Sequence, residues 1–287
     1  MLIPSALSMW LTALLYAASL SQLSAYRSSN ASDSTNCFGK TFDQYAKVYP
    51  SASVSSRSSA FLLAVGTNGR LGDYQAVAEA IVEAVPTLYV VVVDTNPGNF
   101  VKISPEDYIT SASCIKDHMS SRNFSIQHWY VGGHSASGYA AIKAIDSLKL
   151  PFVPTGYIGF DPVGSSSTAD AILHIPSLIF TTAYSFCTFT NARGGDFYKA
   201  ADIQENKCTK YYLVDVTDAG HCSFSGGMCR FGIRLPVCAG TVNQNTFNDI
   251  LAVEIANYMS KKVPINESDV VVSSMSSAGC GNTLYVV

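Results

Sequence analysis

Residues 127–148 read QHWYVGGHSASGYAAIKAIDSL, and this stretch decides the fold. Residues 127–131 (QHWYV) are apolar enough for a buried strand, and from Tyr139 onward the pattern is helical. Between them lie only Gly132, Gly133, His134, Ser135, Ala136, Ser137 and Gly138. A strand that enters a helix through so short a connection turns sharply, and the residues around the apex of such a turn must be small. Ser135 stands at that apex. Gly133 meets the requirement two residues before it. Two residues after it stands Ser137 where glycine is usual, with Gly138 directly behind.

Outward from this turn, strand-like runs alternate with helical patterns. Residues 61–65 (FLLAV), 87–94 (TLYVVVVD), 156–160 (GYIGF), 177–182 (SLIFTT) and 211–216 (YYLVDV) read as strands, several of them hydrophobic throughout. Continuous apolar runs belong to strands covered on both faces. Ala76, Val77, Ala80, Ile81 and Ala84 share one face of a helix between the first two strands. Phe247, Ile250, Leu251, Ile255, Tyr258 and Met259 do the same for a long C-terminal helix. The expectation is an α/β fold with a mostly parallel central sheet and helices on both faces, over residues 60–264. Such sheets place their chemistry at the carboxyl ends of the strands.

The flanks are different. Residues 1–25 carry no Asp, Glu, Lys or Arg, and 9–20 (MWLTALLYAASL) form an apolar run followed by the small residues of Leu23-Ser24-Ala25. That run is short for a membrane span and reads as a cleaved signal peptide. No second run of membrane length follows. Residues 26–59 read as a polar linker and N-terminal strand region, and 265–287 as a Ser/Gly-rich tail or an added edge strand. Three glycosylation sequons begin at Asn30, Asn123 and Asn266. A secretory route is expected; in an algal cell the same segment would also serve plastid import.

Across all 287 residues, 18 Lys and Arg stand against 21 Asp and Glu, a net charge of −3. No basic surplus exists to grip phosphates, so nucleic acid is not an expected partner. Charged residues make up 14% and hydrophobic ones 48%, which excludes a disordered chain. All eight cysteines follow the proposed cleavage point, as disulfides in an oxidising compartment would, although eight thiols allow about a hundred pairings. Cys187, Cys208, Cys222, Cys229 and Cys238 are the candidates for bridges. Metal ligation is not expected, because the sequence has no CxxC and no paired Cys/His spacing.

Strand, tight turn with a serine, then helix is the architecture of a nucleophile elbow. A serine hydroxyl needs a base, and the base needs an acid to hold its tautomer. In elbow-bearing folds the order along the chain is serine, acid, histidine. His118, read as a surface helix residue, and His128, read as lying in or beside the sheet, precede the serine. His134 adjoins it, and His174 leads into a strand. His221, in Ala219-Gly220-His221 past the strand YYLVDV, is therefore the candidate base. For the acid, Asp161 ends the strand GYIGF and is followed by Pro162; Asp196, Asp215 and Asp218 remain alternatives. The oxyanion of acyl transfer needs two N–H donors, for which Ala136 and Thr67 in the loop Gly66-Thr67-Asn68-Gly69 are candidates.

Over residues 60–262 these features resemble the α/β-hydrolase superfamily, and within it the branch of chlorophyllases and polyester hydrolases. Gly133-His134-Ser135, the run Gly159-Phe160-Asp161-Pro162-Val163 and Ala219-Gly220-His221 resemble the chlorophyllase pattern in order and spacing. Val93-Asp94-Thr95-Asn96 is similar to a strand end of polyester hydrolases. An acid on an Asp-Pro turn is also the arrangement of pancreatic-type lipases. The resemblance implies a Ser135–Asp161–His221 triad, an oxyanion hole at Thr67 and Ala136, a small hydrophobic ester as substrate, and no cofactor. Chlorophyllases carry Arg-Gly-Gly after the serine, where this chain has Ala136-Ser137-Gly138. Lipase, cutinase or acyltransferase activity would use the same triad. A non-catalytic secreted binding protein or a disulfide-rich surface protein are the readings from other classes.

Overall fold

The structure, a computed structural model, describes residues 37–50, 58–95, 103–164, 175–184, 193–194, 196–197, 211–226, 238, 240–260 and 283–286. The proposed signal peptide, the sequons at Asn30 and Asn266, His174, Cys187, Cys208, Cys229 and Cys280 lie outside these residues. Eight strands form one sheet: β1 (Ala46–Pro50), β2 (Ser59–Ala64), β3 (Leu88–Val93), β4 (His128–His134), β5 (Pro154–Phe160), β6 (Ser177–Tyr184), β7 (Tyr211–Gly220) and β8 (Thr283–Val286). Their order across the sheet is β1-β3-β2-β4-β5-β6-β7-β8. Only β1 is antiparallel to its neighbour. The expected parallel sheet is present, with an antiparallel edge that the alternation of strands and helices did not announce.

Helices α1 (Phe42–Tyr45), α2 (Gln75–Ala84), α3 (Pro105–Ser121), α4 (Ser135–Asp146) and α5 (Gln244–Met259) accompany the sheet. All six residues of β2 and of β3 are buried, and their side chains divide between two cores. Ala60, Leu62, Tyr89 and Val91 pack with Tyr108, Ala112 and Ile115 of α3 and with Ala141 and Ile145 of α4. Phe61, Leu63, Val90 and Val92 pack on the opposite face with Val77 and Ile81 of α2 and with Leu251 and Ile255 of α5. Each fully buried Leu, Ile, Val or Phe contributes roughly 1.5–3 kcal/mol, and such side chains on both faces fix the register of the central strands.

Two local expectations are corrected. The buried face of α2 is Val77, Ala78, Ile81 and Val82, whereas Ala76 and Ala84 are exposed. Val and Ile, with more apolar surface than Ala, set the orientation of the helix. His118 is not a surface residue: it is 4% exposed and stacks on the Phe42 ring, centroids 3.5 Å apart. The segment that covers it is the N-terminal one, which a Cys37–Cys114 disulfide fastens to α3.

The polar faces explain why α3 has a weak amphipathic pattern, since Ser111 and His118 lie on its buried side. Its start is nevertheless marked chemically. Ser104 Oγ accepts from the Asp107 N–H, Asp107 accepts from the Ser104 N–H, and Pro105 occupies the first turn. Among the described residues no helix is long and apolar enough to cross a membrane.

Candidate active site

β4 runs on through Gly132, Gly133 and His134, and α4 begins at Ser135 without an intervening loop. The chain makes this junction by placing Ser135 at φ +57°, the left-handed region that a side chain resists. Beneath the turn the backbone approaches closely: a Cβ on Gly138 would sit 2.6 Å from the Gly133 carbonyl oxygen. The close contact thus falls on Gly138. Ser137, where glycine is usual, is fully buried, and its hydroxyl donates to the Val65 carbonyl at the end of β2. That explains why a serine is accommodated there.

The next strand ends in a second left-handed residue. Asp161 has φ +43° and no exposed surface. Its N–H donates to the Phe180 carbonyl at 2.8 Å, and the Val163 N–H donates to the Ser135 carbonyl at 3.0 Å. Thr181 and Thr182, at the end of β6, donate their hydroxyls to the two carboxylate oxygens at 3.3 and 3.4 Å. His221 opens a 3-10 turn (His221–Ser225) directly after β7 and is 7% exposed. Its Nδ1–H donates to Asp161 Oδ2 at 2.7 Å, and its Nε2 accepts from the Ser135 hydroxyl at 2.9 Å. Three residues more than twenty positions apart in sequence thus form one hydrogen-bonded row.

A second network adjoins this row. His134 is buried, its Nδ1 lies 2.7 Å from the Tyr74 hydroxyl, and its Nε2 lies 2.9 Å from the His221 carbonyl oxygen. The Gly66 N–H donates to the same Tyr74 hydroxyl at 2.8 Å. Burial, with His221 as the second cause, holds the His134 imidazole well below the ordinary histidine range. Burial likewise pushes the Tyr74 phenol up. Gly66 runs close over the serine: a Cβ there would lie 2.8 Å from His134 Nδ1 and 3.3 Å from Ser135 Cβ. Thr67 and Asn68 form the turn behind it, closed by a Gly69 N–H bond to the Gly66 carbonyl at 2.8 Å with Asn68 at φ +62°. Thr67 and Ala136 are both partly exposed at this end of the sheet.

The other candidates lie elsewhere or play different parts. Asp196 Oδ2 accepts from the Arg193 N–H at 2.9 Å, and Asp218 is exposed, with its carbonyl accepting from Thr241 and Val242. His128 is exposed at the start of β4. Asp215, on β7 opposite Thr181, is half-buried, and one of its carboxylate oxygens is buried with no hydrogen-bond partner among the described residues. Burial, and then the Asp161 charge, push its carboxyl up. Of the bridge candidates, Cys222 is disulfide-bonded, whereas Cys238 is a buried free thiol, contrary to expectation. Asn123, of the sequon at that position, is exposed just past α3. Among the described residues no cluster of three His, Cys, Asp or Glu could hold a metal ion. Tyr74, Thr181 and Thr182 were not foreseen. Paired hydroxyls closing the apolar run SLIFTT were a visible signal for the threonines, but nothing local marked Tyr74.

No protein-family model matches the chain, and no curated protein sequence matches it. Solved structures do. Est1E from Butyrivibrio proteoclasticus, determined with bound ferulic acid, superposes with a TM-score of 0.51 at 12% identity, over 79% of this chain and 98% of that one. An esterase from Pyrobaculum calidifontis gives 0.54 at 14% identity, over 75% and 80%. A ferulic acid esterase from Streptomyces cinnamoneus gives 0.51 at 15% identity, over 73% and 68%. With the parallel sheet and the elbow, these likenesses define the fold: it is the α/β-hydrolase fold.

Proposed function

We propose that this chain is a serine carboxylic-ester hydrolase that acts on a hydrophobic ester through an acyl-enzyme. The observation that carries the reading is the row Ser135 Oγ to His221 Nε2 at 2.9 Å and His221 Nδ1 to Asp161 Oδ2 at 2.7 Å. Because Nδ1–H is committed to a buried carboxylate, Nε2 keeps its lone pair and faces the serine hydroxyl. His221 takes the Ser135 proton as Oγ attacks the ester carbonyl, and the Asp161 carboxylate stabilises the imidazolium that forms. The oxyanion lies against the N–H groups of Ala136 and Thr67. Collapse breaks the ester C–O bond, and His221 returns the proton to the leaving alcohol. Water then repeats the sequence on the acyl-serine, with His221 again as base.

For the substrate, the motifs around Ser135, Asp161 and His221 support a small hydrophobic ester of the chlorophyllase-like kind. The esterases of similar fold support ester chemistry in general. For location, the uncharged segment 1–25, the Cys37–Cys114 bridge and the bonded Cys222 support a secretory route.

The test is labelling by a fluorophosphonate probe, followed by a panel of p-nitrophenyl esters of rising chain length and a chlorophyll ester. Stoichiometric labelling that disappears in Ser135→Ala, and turnover lost by about 10⁵-fold in Ser135→Ala and His221→Ala, are expected. An unlabelled parent protein would reject the reading in favour of a binding protein on the same fold.

A further inference from the structure

We propose that His134, the residue before the nucleophile, is a positioning residue: as a neutral imidazole protonated on Nε2, it holds the backbone of His221 and, through Tyr74, the loop that begins at Gly66. This rests on the reading of Ser135, His221 and Asp161 as an esterase centre.

The direction of every hydrogen bond in the network follows from its fixed ends. At one end is the Gly66 N–H, which only donates, and it occupies a lone pair of the Tyr74 hydroxyl at 2.8 Å. At the other end is the His221 carbonyl, which only accepts, 2.9 Å from His134 Nε2. Nε2 must therefore carry the proton, since an unprotonated nitrogen would face carbonyl lone pairs at hydrogen-bond distance. A neutral ring with Nε2–H has a bare Nδ1. That nitrogen accepts the Tyr74 proton at 2.7 Å. No alternative arrangement satisfies all three contacts with a neutral ring. Burial and the adjacent His221 both oppose a second proton on His134, which favours this neutral form.

The network moves no proton into the reaction, because a peptide carbonyl neither gives nor takes one here. What it does is geometric. His221 comes from the end of β7 and Gly66 from the end of β2, while His134 is joined covalently to Ser135. A single buried side chain thus references both the base and the loop over the serine to the nucleophile itself. The loop is referenced a second time by the Ser137 hydroxyl on the Val65 carbonyl. Loss of the His134 bond leaves Ser135, Asp161 and His221 in place but frees the His221 backbone to drift, and displacements near 1 Å cost reactions up to about a hundredfold.

The test uses the full chain and three variants. In His134→Leu, kcat on p-nitrophenyl butyrate and the rate of Ser135 phosphonylation by a fluorophosphonate are expected to fall about ten- to a hundredfold, with KM little changed. His134→Gln, whose side-chain amide offers a donor for the His221 carbonyl, should recover most of that loss. Nitrogen-15 NMR of the parent should show His134 neutral and protonated on Nε2 alone, and in Tyr74→Phe, where the His221 carbonyl still fixes that tautomer, the Nδ1 signal should shift as the nitrogen loses its hydrogen bond. Unchanged rates in a folded His134→Leu, or a His134→Gln no better than His134→Leu, would overturn the proposal. So would a parent spectrum with the proton on Nδ1, and that spectrum decides the point even where a variant fails to fold. A parent whose Ser135 does not react with the probe overturns the esterase reading and this inference with it. A reactive parent whose variants react equally fast overturns this inference alone.

Discussion

The turns that follow β4 and β5 are built differently from the turn that follows β7. After β4 and β5 the backbone itself does the placing. Each turn forces one residue with a side chain into the left-handed region, Ser135 at φ +57° and Asp161 at +43°. Such residues cost of order 1–3 kcal/mol each and persist only where their surroundings over-determine them. Here the two turns brace one another, through the Val163 N–H on the Ser135 carbonyl and the close approach of Pro162 to Gly138. Tyr157 adds a hydroxyl bond to the Gly138 carbonyl at 3.1 Å. After β7, by contrast, His221 opens an ordinary 3-10 turn, and side chains hold it: Ser223 Oγ on the Gly220 N–H, His134 on the His221 carbonyl, and the disulfide at Cys222. Ser135 and Asp161 are fixed by main-chain geometry in the middle of the sheet, His221 by ties that single substitutions remove.

The largest effects should come from breaking the first region. Asp161→Asn keeps the shape of the turn but offers an amide N–H to His221 Nδ1, which drives the ring proton to Nε2 and away from its task. A fall in kcat of about 10³–10⁴-fold is expected, with thermal stability close to that of the parent. Near-parental activity would remove Asp161 from the role of acid. Gly138→Ala comes next, because its new Cβ would lie 2.6 Å from the Gly133 carbonyl oxygen and 3.0 Å from Pro162 Cβ. A destabilisation of roughly 1–3 kcal/mol, seen as a lowered Tm, is expected together with reduced activity. A folded variant with an unchanged Tm would show that the elbow has room to relax.

The same contrast governs what the sequence made visible. The elbow was legible because its constraint is local: a strand, glycines around a serine and a helix within 22 residues can only be joined one way. Asp161 carried a weaker mark, a proline after a carboxylate at a strand end, and His221 was reached through its order in the chain. What holds His221 is not local at all, since Tyr74, His134 and Gly66 meet it from three other elements. β1 was foreseen only as a strand region within 26–59, without its bounds, because an edge strand of five residues with Lys47 exposed has no continuous apolar run. α3 was foreseen only as a helix around His118, without its bounds, because its inward face carries Ser111 and His118, although Ser104-Pro105-Glu106-Asp107 spelled out its capped start. The register of hydrophobic side chains reports what is buried against apolar neighbours, and it is silent where polar groups are buried with partners.

The second region offers two smaller effects. Cys222 adjoins His221, so Cys222→Ser, or reduction of the native protein, should lower stability by about 2–4 kcal/mol and slow turnover, measured by thermal denaturation and by ester hydrolysis. If reduction left both unchanged, the bridge would have no part in holding the base. The smallest effect is the most specific. Burial and the neighbouring Asp161 charge raise the Asp215 carboxyl above its ordinary value. The folded chain therefore holds that proton more tightly than the unfolded chain does, so stability falls as pH climbs from the ordinary carboxylate range through the raised value. The loss is then constant up to neutrality. Asp215→Asn removes this titration, and its Tm should exceed that of the parent near pH 7, with the difference closing toward about pH 3. A variant less stable than the parent at neutral pH would mean that the Asp215 charge is held by a favourable partner after all. Because Asp215 lies on β7 and Asp161 at the end of β5, repeating the comparison in Asp161→Asn separates the electrostatic coupling between the two regions, across the threonines of β6 that lie between them, from the larger effect of burial.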